Sequence, residues 1–123
     1  MSTSLYSDRF DSATFADNEP VELRSYRGSR RASTYDEHVM PEGLFERTVS
    51  LAKAYDLHQL SSLDPYGPTE LHGEQARRLA GEVRFISGVV NDPLLAPHLD
   101  AVGRVADYCW QHPSDAWIVI EGP

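Results

Sequence analysis

The chain holds one cysteine, Cys109, which excludes an intramolecular disulfide and any cysteine-rich zinc or iron–sulfur centre. Lysine is almost as scarce, since Lys53 stands alone beside ten arginines. Long apolar runs are also missing: the longest, Ala116 to Ile120, falls far short of the roughly 20 residues that cross a bilayer. The stretch Met1 to Arg9 has neither an apolar segment nor a positive cluster ahead of one, so no secretory signal is expected and a cytoplasmic location is the expectation. Positive charge is outnumbered, with 11 basic against 19 acidic side chains, a net charge of -8 and a pI near 4.9. That balance argues against a nucleic-acid binder, because affinity for the phosphate backbone comes from clustered lysine and arginine. A Gly-x-Ser-x-Gly elbow, a phosphate-cradling glycine loop and a dinucleotide fingerprint are all absent, which removes the commonest sequence signs of catalysis.

What remains is an ordinary globular composition of 123 residues, 41% hydrophobic and 24% charged, enough for one core. Residues 1–41 read as a partly ordered amino-terminal extension, and residues 42–123 as a helical core domain closed by a strand. Within the extension, Leu5 to Phe10 and Val21 to Tyr26 alternate weakly and can pair as an edge hairpin, with Ala16-Asp17-Asn18-Glu19-Pro20 as the reversal. Gly28 to Ser33 is expected to be mobile. A first helix is predicted over Glu42 to Ala54, where Leu44, Phe45, Val49, Ala52 and Tyr55 form a stripe and Pro41 suits the start. Leu57 to Pro68 is expected to be a loop, because two prolines and a glycine in its last four residues forbid helix. Ala76, Leu79, Ala80, Val83, Ile86 and Val90 predict a second helix over Gly73 to Val90. Leu99, Val102, Val105, Ala106, Cys109 and Trp110 predict a third over Pro97 to Gln111. Ala116 to Ile120 is a β-branched and aromatic run with the marks of a terminal strand. The expected fold class is α+β, mainly helical: about three packed helices, a short carboxy-terminal strand and an amino-terminal hairpin.

Five histidines, His38, His58, His72, His98 and His112, are the only imidazoles that can ligate a metal, and none pairs at a metal-motif spacing. His98 and His112 would stand roughly 21 Å apart along one helix, so solvated or capping histidines are expected and no metal or cofactor is assigned. Cys109 falls on an apolar helix stripe, where thiols are inert; no catalytic residue is assigned either. Arg24, Arg27, Arg30 and Arg31 form the one basic cluster, read as a solvated arm. The segment Asp64-Pro65-Tyr66-Gly67-Pro68-Thr69-Glu70 is the most distinctive. It can offer Asp64 and Glu70 as paired carboxylates beside Tyr66, or be a rigid turn in which Asp64 accepts local amide protons. From Glu42 onward there are 12 carboxylates against 6 basic side chains, a surface suited to a positively charged partner.

Three stretches, Ser61 to Leu71, Glu74 to Ala80 and Trp117 to Glu121, resemble a class of small, acidic, stand-alone bacterial proteins, several of which are immunity proteins for secreted toxins. The resemblance spans roughly Leu44 to Glu121 and implies a small inhibitor acting through its surface. The leading expectation is thus a non-enzymatic protein-binding protein, an immunity-type inhibitor whose acidic surface covers a basic toxin region. The partner-binding residues would be Asp64, Tyr66 and Glu70 in the loop, and Tyr26, Tyr35 and Asp36 in the extension. The alternatives are a small enzyme or ligand-binding domain with a pocket near the Asp64–Glu70 loop, and a structural subunit of a homo-oligomer.

Overall fold

A four-stranded antiparallel sheet forms the base of the molecule in the computed structural model, which describes residues 7–28, 36–64 and 68–122. Strands β1 (Pro20–Arg27), β2 (Asp36–Pro41), β3 (Thr69–His72) and β4 (Ala116–Glu121) lie in the order β2-β1-β4-β3. Strand β4 therefore pairs on both sides, with Leu23 opposite Ile120 on β1 and Leu71 opposite Ile118 on β3. Alternation sends side chains to opposite faces. Val21, Leu23, Met40, Leu71, Ala116, Ile118 and Ile120 point one way and are buried, as is Ser25. The Ser25 hydroxyl exchanges hydrogen bonds with the main chain of Asp36, accepting from its N–H at 3.0 Å and donating to its carbonyl at 3.2 Å.

Helices α1 (Glu42–Ala54), α3 (Gly73–Val89) and α4 (Ala96–Gln111) cover that buried face, with the single turn α2 (His58–Ser61) bridging α1 and α3. Their apolar stripes enter one core: Leu44, Phe45 and Ala52; Ala76, Leu79, Val83 and Ile86; Leu99, Val102, Val105, Ala106 and Cys109. Side chains from distant segments secure the helix ends, because terminal amides and carbonyls lack partners within a helix. Asn18 accepts the Gly43 N–H at 2.7 Å at the start of α1. The Glu82 carboxylate of α3 accepts the Gln59 and Leu60 amides that open α2. Asp92 accepts the amides of Leu94 and Leu95 in the turn that leads into α4. The end of α1 is a double reversal in which the Leu57 N–H returns to the Ala52 carbonyl at 2.8 Å and Asp56 takes a positive φ of 57°.

The α+β, mainly helical class is as expected, and the three long helices and β4 match the sequence reading to within a residue at each end. The structure departs from that reading, or adds to it, at four places. Ser7–Phe10 forms a 3-10 turn in place of the strand expected over Leu5 to Phe10, and β1 pairs instead with β2 and β4. Residues 36–41, part of the extension with no element assigned to them, are an edge strand. The loop of residues 57–68 contains the turn α2, and Thr69 and Glu70 belong to β3, since pairing with β4 satisfies their backbone groups. Within the expected mobile stretch, Gly28 is described: it takes a φ of +81° and donates its N–H to the Asp115 carbonyl at 2.8 Å. Residues 29–33 lie outside the described residues.

Candidate functional site

The helices cover one face of the sheet, and among the described residues no helix packs on the other. The register arranges that uncovered face in cross-strand rows. One row is aromatic: Tyr26 of β1, Trp117 of β4 and His72 of β3. Tyr26 and Trp117 stack with ring centroids 5.6 Å apart at 18°, and His72 lies on the far side of Trp117 at 6.5 Å and 22°. Trp117, between the two rings, is only 8% exposed. The next row runs Glu37, Arg24, Val119, Glu70, and beside it lie Val39, Glu22 and Glu121.

Four carboxylates thus share the face with one guanidinium. Arg24 turns toward β2, 2.5 Å from Glu22 and 3.5 Å from Glu37. On the β3 side, Glu70 meets His72 Nε2 at 2.8 Å, and an ionised carboxylate can only accept, so Nε2 carries the proton. The His72 ring also accepts the Gln75 N–H at the start of α3, and the Gln75 side chain accepts the His72 N–H at 3.1 Å. The imidazole is held by the same capping contacts that begin the helix. Val119, shorter than its neighbours, leaves a depression of about 380 Å³ lined by Tyr26, Trp117, Val119 and Glu121 and, on the β3 side, by Pro68, Thr69 and Glu70. An apolar floor, an aromatic wall and flanking carboxylates make a place for a cationic group, which gains both from charge and from aromatic rings.

The structure brings two of the expected partner-binding residues, Tyr26 and Glu70, to this depression. Asp64 is exposed in the segment after α2 and does not line it. Asp36 faces the helical side, where Arg104 of α4 reaches its carboxylate at 3.4 Å. Tyr35 and Tyr66 lie outside the described residues, as do Arg30 and Arg31 of the basic cluster; Arg27 pairs with Asp115 at 3.0 Å. Trp117, Val119, Glu121 and His72 escaped the sequence reading as site residues. Alternation within Ala116–Glu121 was the available signal, because it puts Trp117, Val119 and Glu121 on one face.

A second cluster joins residues that the sequence keeps apart. His38 of β2 and His98 of α4 meet on the helical side, with Nε2 and Nδ1 2.7 Å apart and the rings half-buried. Burial pushes both imidazoles below their ordinary pKa. His98 and Arg104 press His38 further down, and Asp36 opposes them. Cys109 is fully buried beneath β3 and β4, and burial pushes its thiol up to about 11. Among the described residues, no three His, Cys, Asp or Glu side chains converge as a metal site would require, and no helix is long and apolar enough to cross a membrane.

No protein family, curated protein or solved structure matches this chain.

Proposed function

We propose that this is a non-enzymatic binding protein that receives a basic stretch of a partner protein on the uncovered face of its sheet. An immunity-type inhibitor, neutralising a toxin in the cytoplasm, is the biological form we favour. The observation that carries the reading is the cross-strand arrangement itself: among the described residues an aromatic row stands beside Glu22, Glu37, Glu70 and Glu121, with Arg24 the one guanidinium on that face. The overall charge of -8 would steer a basic partner toward the molecule, and the rigid Tyr26–Trp117 stack would give it an anchor whose ordering cost is already met. At about 380 Å³ the depression has room for a side chain from a partner's surface.

The test is a nuclear magnetic resonance titration of the isotope-labelled protein with a peptide of alternating arginine and serine. Shifts should gather on the outward residues of β1, β3 and β4, Tyr26, Glu70, Trp117, Val119 and Glu121, and should fade as salt rises from 50 to 500 mM, because screening weakens surface charge pairs. An acidic peptide of equal length should leave the spectrum unmoved. Shifts on the helices, or none, would overturn the proposal.

A further inference from the structure

Resting on that reading of the sheet face, we infer that the depression over Val119 is a socket for a single arginine side chain of the partner. The row Glu37, Arg24, Val119, Glu70 alternates negative and positive charge until Val119, where a short aliphatic side chain interrupts it. The interruption is bounded by Glu70 across the strand gap, by Glu121 two residues along β4 on the same face, and by the Tyr26–Trp117 wall at the other end. A cation placed there stands against the Glu70 and Glu121 carboxylates, with Arg24 on its other side. Arg24, the neighbour that would repel it, is drawn away to Glu22 and Glu37, and their carboxylates neutralise it.

Three features select guanidinium over ammonium. The carboxylates of Glu70 and Glu121 approach from different directions, which suits a planar fork with five N–H donors better than a compact, strongly hydrated point charge. The floor and wall are apolar and aromatic, and a guanidinium sheds its water there at smaller cost. The protein also uses the same chemistry on itself: Arg24 sits between two glutamates on this face, Arg77 lies over the Trp110 ring at 5.8 Å, and Arg47 lies over Phe15 at 5.2 Å. The His72 contact to Glu70 does not by itself bar a guanidinium, because a carboxylate has several acceptor positions.

The probes are acetyl-arginine amide, its lysine counterpart and its citrulline counterpart, which keeps the arginine shape without the charge. Each is titrated into the full chain while the Trp117 indole and the Val119 and Glu121 amides are followed by NMR. The arginine probe should saturate these signals, bind at least threefold more tightly than the lysine probe, and leave the Trp110 indole unmoved. The citrulline probe should give no saturable shift. Glu121→Gln should weaken the arginine probe at least threefold. Val119→Arg, which fills the socket from within, should abolish its binding while the amide spectrum stays folded. Equal binding of arginine and citrulline, equal binding of arginine and lysine, or binding that survives Val119→Arg would overturn the socket. If the arginine probe fails while the arginine–serine peptide still maps to the sheet face, the socket alone is lost. If the peptide fails too, the proposed function falls with it.

Discussion

Asp92 is only 9% exposed and performs two tasks with one carboxylate. Its Oδ1 accepts the amides of Leu94 at 2.9 Å and Leu95 at 3.1 Å, and its Oδ2 accepts from Arg47 of α1 at 2.8 Å. The division between oxygens makes the tasks separable by mutation. Losing a side-chain acceptor for the amides of a turn costs about 1 kcal/mol, as at a helix N-cap, and a lost hydrogen bond to a charged group costs roughly 1.5–3 kcal/mol. Arg47 keeps 23% of its side chain exposed and retains the Phe15 ring, so the lower part of that range applies. Asp92→Ala should therefore cost about 2.5–3 kcal/mol, and Asp92→Asn, which keeps the Oδ1 acceptor, about 1.5 kcal/mol. At about 4 °C per kcal/mol for a domain of this size, Tm should fall by roughly 10–12 °C and 6 °C respectively. Urea unfolding followed by tryptophan fluorescence measures both. In the Arg47→Met background, Asp92→Asn should become nearly neutral, because the interaction it removes is already gone. Equal losses for the alanine and asparagine variants would refute the division of labour, and additivity with Arg47→Met would refute the ion pair.

Three further outcomes follow from the same structure. His38 and His98 are held below their ordinary pKa, so the unfolded chain takes up protons near pH 6.5 while the folded chain still resists. Stability present above pH 6.5 should thus be lost as pH falls below it, and the urea midpoint of His38→Gln should fall less steeply between pH 7 and 5; an unchanged slope would remove the pair from the explanation. With its thiol at about 11, Cys109 should resist iodoacetamide at pH 8 in the folded protein and react at the rate of a free thiol in 8 M urea; rapid labelling of the native protein would contradict its burial. Asp56 holds a left-handed conformation at the end of α1, so Asp56→Gly should raise stability by about 1 kcal/mol, read as a higher urea midpoint.

The helices are legible in the sequence because their signal is local: Leu79, Val83 and Ile86 announce α3 through spacing alone, and Cys109 falls on the buried stripe of α4 where the same spacing puts it. The strands are less so. Asp36–Pro41 holds two charged residues, a histidine and a proline, and Thr69–His72 is four residues long. Both are strands because β1 and β4 offer them hydrogen bonds, a fact of topology that no window of sequence contains. The candidate site shows the same limit. Tyr26 and Glu70 can be picked out one at a time, but their meeting across Trp117 and Val119 depends on the strand order β2-β1-β4-β3. Asp36 and Tyr26 are both in the extension, yet the pleat turns Asp36 toward Arg104 on the opposite side. The His38–His98 contact joins residues sixty positions apart and leaves no trace in either neighbourhood.

The central position of β4 also governs how the molecule comes together. Its pairing with β1 sets Glu22 against Glu121, a closure spanning almost a hundred residues, whereas α1, α3 and α4 each form from neighbours in the chain. Distant closures of this kind slow the search for the native state far more than they weaken it once found. The outward face of the sheet, built on strands that meet across β4, therefore depends on the most distant closure in the fold.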